Sequence, residues 1–258
     1  MKYNSKSPIA VVDSGVGGIT VLRKLYKLMP NEDYIYFGDS ANAPYGVKTK
    51  DEIRNLTVKA CEALMERGAK AVVIACNTAT SAAAAYLREK YPDFIFIGLE
   101  PALKPAALSG ENPKVLVLAT PLTLKEEKFD NLMAKFADRA EFIKLPAPEL
   151  VRFIEGGNLD SEEEIAYLEK ILSPYTDGRV DAVVLGCTHF PFARKCIQRI
   201  LGEKVQFFEG SKGAANYCKL CLEEKGLLNS ADREGSISFE NSDENKIEIS
   251  KKMFYYKG

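Results

Sequence analysis

Histidine occurs once in this chain of 258 residues, at His189, and that scarcity excludes a zinc site built mainly from imidazoles. The six cysteines lack the paired spacing of a zinc cluster, so no metal is expected. They are also too sparse for the disulfide framework of a small secreted protein, and they read as free thiols of a reducing compartment. No apolar run approaches the roughly 18 residues that a membrane span needs. Excess charge is missing too. Thirty-five basic side chains against thirty-six acidic ones leave a formal charge of −1, with no electrostatic footprint for nucleic acid or an anionic membrane surface. Met1 to Ser7 are polar, with neither an apolar signal core nor a cleavage pattern, so a cytoplasmic location is the expectation. Nucleotide signatures are incomplete. After Asp13-Ser14-Gly15-Val16-Gly17-Gly18 the dinucleotide fingerprint wants glycine where Thr20 stands, and no phosphate loop with its lysine occurs.

What is present is a soluble globular composition, 46% apolar and 28% charged. Short apolar runs predict strands at Ile9–Asp13, Tyr34–Phe37, Ala71–Ala75, Phe94–Gly98, Val115–Ala119, Glu141–Leu145, Asp181–Leu185 and Val205–Phe208. Amphipathic stretches predict helices at Thr20–Leu28, Asp51–Arg67, Thr78–Lys90, Lys125–Phe136, Glu162–Leu172 and Ala193–Leu201. Such alternation points to an α/β fold of mostly parallel sheets flanked by helices. A break near Glu100-Pro101, a turn over Ser109–Pro113 and a restart at Val115–Thr120 suggest two similar lobes. The expected first lobe is 1–99, with 210–258 returning to it. The second is 100–209, and the active site is expected in the cleft between them. Ser236–Phe239 and Lys246–Ser250 are expected to form a short hairpin.

Two strand ends read almost alike. Ala71-Val72-Val73-Ile74-Ala75-Cys76-Asn77-Thr78 can be laid over Ala182-Val183-Val184-Leu185-Gly186-Cys187-Thr188-His189. In each, an apolar run stops at a cysteine followed by two hydrogen-bonding residues and then a helical pattern. Ligands of open parallel sheets bind beyond the carboxyl ends of the strands, where Asp13 and Asp39 also fall. A helix N-terminus lowers a thiol's pKa from about 8.5, and the helices after Cys76 and Cys187 are expected to provide one each. Two thiols facing one carbon from opposite sides could move a proton across it, which is the geometry a racemase needs. The alternative for either cysteine is a buried apolar residue.

His189, two residues from Cys187, could donate to, accept from or stabilise a thiolate, although a lone histidine is also a common surface or core residue. The glycines after Asp13 are read as admitting a small anion such as a carboxylate, or else as a tight turn with Asp13 as a cap. The loop Gly38–Gly46 either lines a site or merely connects. Cys218-Lys219-Leu220-Cys221 has redox spacing but lies inside a helical pattern, and a buried helical face is expected there.

With those residues in hand, the chain resembles the glutamate racemases of the cofactor-independent aspartate/glutamate racemase superfamily. The resemblance rests on Asp13–Gly18, Gly38-Asp39 with Pro44-Tyr45-Gly46, Ala75–Thr80, and Leu185–His189 with Pro191. It implies that Cys76 and Cys187 are the catalytic acid/base pair. It implies that Asp13, Ser14, Tyr45, Gly46, Asn77, Thr78, Thr188 and His189 bind substrate or tune the thiols, with Glu155 near the histidine and Thr120 in a binding loop of the second lobe. It also implies L- and D-glutamate as substrate, no cofactor, a homodimer, and supply of D-glutamate for bacterial peptidoglycan. Asn42 stands where the family often has arginine. Aspartate racemase, another superfamily activity, or a non-enzymatic small-ligand or thiol redox protein are the competing readings. No pyridoxal phosphate site is recognisable.

Overall fold

The computed structural model describes residues 3–256, apart from the side chain of Lys128. The chain opens with β1 (Ile9–Asp13), α1 (Ile19–Leu28), β2 (Tyr34–Gly38), α2 (Lys50–Glu66), β3 (Ala71–Ile74), α3 (Asn77–Lys90) and β4 (Ile95–Gly98). It continues through α4 (Leu103–Ala107), β5 (Lys114–Ala119), α5 (Pro121–Lys125), α6 (Glu127–Ala134), β6 (Glu141–Pro146), α7 (Pro148–Glu155), α8 (Glu162–Leu172), β7 (Ala182–Leu185), α9 (Arg194–Leu201) and β8 (Gln206–Phe208). It ends with α10 (Ser211–Glu224), β9 (Ile237–Asn241) and α11 (Asn245–Tyr255). Two compact units result. One runs to Glu100 and resumes at Ser211, and the other is Pro101–Gly210. Residues 1–2 and 257–258 of the expected first lobe lie outside the described residues.

Both sheets are parallel throughout, and they share one plan. In the first, β1 sits between β2 and β3, β4 lies beyond β3, and β9 lies beyond β2. In the second, β5 sits between β6 and β7, and β8 lies beyond β7. Strand for strand, β1-β2-β3-β4 corresponds to β5-β6-β7-β8, with β9 as an addition. The inner strands are buried on both faces: Ile9–Val11, Ala71–Ile74, Val115–Ala119 and Ala182–Val184 are sealed from solvent. That burial explains their continuous apolar sequence. In the second unit Leu103, Ala106, Leu124 and Phe129 pack on Val115, Val117, Ala182 and Val184, so α4, α5 and α6 cover one face of the sheet.

The eight expected strands are present with their ends within one residue. Two expectations fail. The helix over Lys125–Phe136 is broken, because Thr120 caps a short α5 begun by Pro121 and Glu126 turns extended before α6. The C-terminal hairpin does not form. Its first arm is β9, paired in parallel with β2, and Lys246–Ser250 belongs to α11. The alternation of Ile247 and Ile249 mimics a strand, but Asp243 accepts from the Asn245 amide at 3.1 Å and turns the chain into a helix. On that helix Phe254 packs edge-on against Tyr26 and Phe239. Among the described residues no helix is long and apolar enough to cross a membrane.

At the opposite end of the first sheet from the cysteine, a buried ion pair ties four chain segments together. Lys70 Nζ lies 2.5 Å from Glu32 Oε2 and 2.6 Å from the Ser5 carbonyl, while Glu32 Oε1 accepts from the Asn229 amide at 2.8 Å. Both side chains are at most 1% exposed, so neither charge has water to fall back on. Replacing Lys70 by methionine strands the Glu32 carboxylate and is expected to cost about 3–5 kcal/mol. Urea denaturation should show this as a lower midpoint with an unchanged slope, and a midpoint equal to wild type would refute it.

Candidate active site

In the first unit β3 delivers Cys76 to the N-terminus of α3. The Ala75 amide donates to the Val12 carbonyl at 2.7 Å, extending the strand pairing up to the cysteine. Cys76 is the residue that caps α3, and its sulfur accepts from the Ala79 amide at 3.5 Å. Ser14, in the turn after β1, donates its hydroxyl to the same sulfur at 3.4 Å. A thiolate here meets a hydroxyl donor and the positive end of a helix, both of which favour the charged form. Asn77 and Thr78 are buried in the first turn of α3.

Asp13 does not cap α1, whose start at Gly18 carries no side-chain cap. Its carboxylate instead accepts from the Gly15 amide at 3.0 Å, so that amide is already engaged rather than waiting for an anion. A side chain at Gly18 would come within 2.6 Å of Asp13 Cβ, which is why the turn is held by glycine. After β2, Tyr45 is buried and donates its hydroxyl to Asp39 Oδ2 at 2.7 Å. Asn42 donates to both oxygens of the same carboxylate, at 2.9 and 3.1 Å. Burial, the Asp39 bond, and the nearby Asp39, Cys76 and Asp13 charges raise the Tyr45 pKa, so Tyr45 stays a neutral donor. The short turn Tyr45–Val47, with Gly46 half-buried at its centre, packs on α3. Asp39 and Asn42 were not among the expected site residues. The signal was a Gly-Asp pair at a strand end, but the bonds they make inside the loop carry no sequence signature.

In the second unit β7 delivers Cys187, and the Gly186 amide donates to the Leu118 carbonyl at 2.7 Å. A side chain at Gly186 would meet that carbonyl oxygen at 2.9 Å. Here the helix starts within one residue of the expected Ala193, but it does not directly follow the cysteine. A 3-10 turn over Phe190–Ala193, with Pro191 in it, intervenes, and α9 starts only at Arg194. The thiol faces His189 instead, with Sγ 3.5 Å from Nδ1. His189 Nε2 lies 2.5 Å from Glu155 Oε1, at the end of α7. Burial opposes charge on His189, yet the hydrogen bonds and charges of Cys187 and Glu155 outweigh it and hold its pKa well above the ordinary value. Thr188 is buried beside them. Thr120 caps α5 at the end of β5, its hydroxyl 3.0 Å from that of Thr123.

The two cysteines therefore occupy equivalent strand ends, one in each unit, with different partners. The other four cysteines, Cys61, Cys196, Cys218 and Cys221, are free thiols. Cys218 is sealed within α10, where burial pushes its thiol up to about 12. Among the described residues no three His, Cys, Asp or Glu side chains are grouped to hold a metal ion.

Comparison with known proteins agrees on one family. The sequence model described as Asp/Glu/Hydantoin racemase matches residues 9–218, so β9 and α11 lie beyond the matched stretch. A glutamate racemase of Clostridium perfringens (strain SM101 / Type A) is 52% identical over 253 residues, which is 97% of each chain. Among solved structures, glutamate racemase from Francisella tularensis in complex with D-glutamate superposes with a TM-score of 0.81 at 30% identity, covering 97% of this chain and 94% of that one. Escherichia coli glutamate racemase in complex with L-glutamate and the activator UDP-MurNAc-Ala gives 0.80 at 33% identity, covering 91% and 89%.

The His189 titration tests the surroundings of Cys187 directly, and a single histidine makes its NMR signal unambiguous. In the wild type the ring is expected to keep its proton well above neutral pH. Removing the Glu155 charge in Glu155→Gln is expected to lower the midpoint by about 1 unit or more. An unchanged midpoint would mean that Glu155 does not hold the proton.

Proposed function

This chain belongs to the Asp/Glu/hydantoin racemase family, and from that premise we propose that it interconverts L- and D-glutamate by proton transfer between two cysteines. The observation that carries the reading is the equivalence of Cys76 and Cys187. Each follows the third strand of a repeated parallel unit, and each has partners that suit a thiolate. One thiolate takes the α-proton from one face, and the other thiol returns a proton to the opposite face. In the reverse direction the roles exchange. A single base would tend to return the proton to the face it left.

The two thiols are tuned differently in this scheme. Around Cys76, the Ser14 hydroxyl and Ala79 amide stabilise sulfur charge without a titrating partner. Around Cys187, protonated His189 donates through Nδ1 to the sulfur and through Nε2 to Glu155. Positioned proton transfer typically contributes about 10²–10⁴-fold in rate. The α-proton of an amino acid is so weakly acidic that further stabilisation of the developing carboxylate charge is required. Buried donors such as Asn77, Thr78 and Thr188 beside the thiols suit that task, and one such donor is typically worth about 3–4 kcal/mol. The same reading carries with it a cytoplasmic homodimer that supplies D-glutamate for peptidoglycan, on the strength of the family alone.

Reduced protein incubated with L-glutamate in heavy water, with no added cofactor, should form D-glutamate carrying deuterium at Cα. Cys76→Ser and Cys187→Ser should each lower racemisation by about 10²–10⁴-fold while leaving the circular dichroism spectrum unchanged. Full racemisation by either folded variant would overturn the two-base scheme. Absence of both deuterium and D-isomer with the wild type would overturn the reaction itself.

A further inference from the structure

The C-terminal strand makes contacts that its distance in sequence from the thiols would not suggest. Asn241 closes β9 and pairs in register with Gly38 at the end of β2. Its side-chain oxygen accepts from the Ser40 amide at 3.3 Å and from the Asp243 amide at 3.0 Å. Its side-chain nitrogen donates to the Ser40 hydroxyl at 3.0 Å. The next residue adds two ties: Ser242 Oγ accepts from the Ala41 amide at 2.9 Å, and the Ser242 amide donates to the Gly38 carbonyl at 2.9 Å. Gly38, Ser40 and Ala41 are thus all fastened from the C-terminal segment.

Asp39 lies between those fastened residues. Its amide donates to the Asp13 carbonyl at 2.9 Å, and its carboxylate takes the Tyr45 and Asn42 donors. There is no slack beneath it. A Cβ on Gly38 would stand 2.4 Å from the Gly15 carbonyl oxygen and 2.5 Å from Asn241 Nδ2, and Tyr36 holds the same Gly15 carbonyl at 2.6 Å. The loop start is therefore pinned between the turn that carries Ser14 and the side chain of Asn241. A shift of Ser40 is transmitted through Asp39 to the Tyr45 hydroxyl. We infer that Asn241 is a positioning residue for racemisation, holding the Asp39–Tyr45 loop in place beside Cys76 from a strand outside the catalytic repeat. The inference rests on the racemase reading proposed above.

β9 does not depend on Asn241 for its own place. Arg67 grips Glu240 through two contacts of 2.7 Å, and Phe239 packs against Tyr36 and Phe254. Asn241→Ala should therefore fold, and its cost should appear in catalysis. Misplacement of a positioning group by an ångström can cost on the order of 10²-fold. We expect kcat/KM for glutamate to fall about tenfold or more, with a raised KM and a melting temperature close to wild type. Ser40→Ala should reproduce much of the loss, and the double variant should add little to it. Asn241→Asp, which keeps the acceptor for the Ser40 amide and can accept from the Ser40 hydroxyl in place of donating to it, should recover most of the activity. Hydrogen exchange gives a second readout independent of turnover, with faster exchange at Ser40 and Ala41 in Asn241→Ala.

A folded Asn241→Ala with wild-type kcat/KM and wild-type exchange would overturn the inference, as would full additivity with Ser40→Ala. Should Asn241→Ala fail to fold, Ser242→Ala, at an exposed position, removes only the Ala41 tie and is read in the same two ways. A wild-type chain without racemisation would remove the proposed reaction, while the exchange measurement would still decide whether Asn241 holds the loop.

Discussion

Parallel pairing of β3 with β1, and of β7 with β5, is the constraint from which the rest of the molecule follows. The inner strands are buried on both faces, so each backbone amide and carbonyl must find a partner in the neighbouring strand. Register is then fixed to the residue, from Ile9 opposite Ala71 to Val12 opposite Ile74, and from Val115 opposite Ala182 to Leu118 opposite Leu185. The pairing carries on past the last strand residue, through the Ala75 amide on one sheet and the Gly186 amide on the other. Cys76 and Cys187 are the next residues in each case. Their positions follow from the sheets rather than from any loop.

Equivalent placement does not bring equivalent chemistry. Cys76 caps a helix that begins at once, and its sulfur is met by an amide and a hydroxyl that hold the same protonation state at every working pH. Cys187 is followed by a 3-10 turn, and its sulfur is met by an imidazole that is itself held by a carboxylate. The first environment is a fixed dipole, and the second is a charge that a proton can switch. A repeated scaffold has been fitted with different partners at its two cysteines, and only the second set contains a histidine whose charge a proton can switch.

The sheets were legible because strands buried on both sides must be apolar without interruption, and such runs stand out between polar loops. The cysteines were legible for the same reason, as the residues where two such runs stop. β9 was not. It is half-exposed, so its run is short and mixed, and its partner β2 lies some 200 positions earlier, beyond any local pattern. Lys246–Ser250 misled through the spacing of two isoleucines, because an Asx turn at Asp243 decides the helix and alternation does not. The pairing of Glu155 with His189 spans 34 positions and was reachable only through resemblance. The bonds of Asp39, Asn42 and Asn241 leave no trace in sequence, since polar residues near a strand end are as common in plain connections as in sites.

The same burial that fixes the strand ends also bears on why thiols stand there. An ionised carboxylate in so enclosed a place needs several donors of its own, and the two nearby aspartates show the requirement. Asp13 takes the Gly15 amide, and Asp39 takes the hydroxyl of Tyr45 and the amide group of Asn42. Those donors hold each carboxylate in a fixed arrangement within its loop. A neutral thiol is nearly apolar and costs little to bury, so it can wait at a strand end without such a retinue. It becomes a base once one or two donors favour the thiolate. Cysteine is a side chain that tolerates the buried end of a parallel strand in both protonation states, as the proposed exchange of a proton in alternate directions requires.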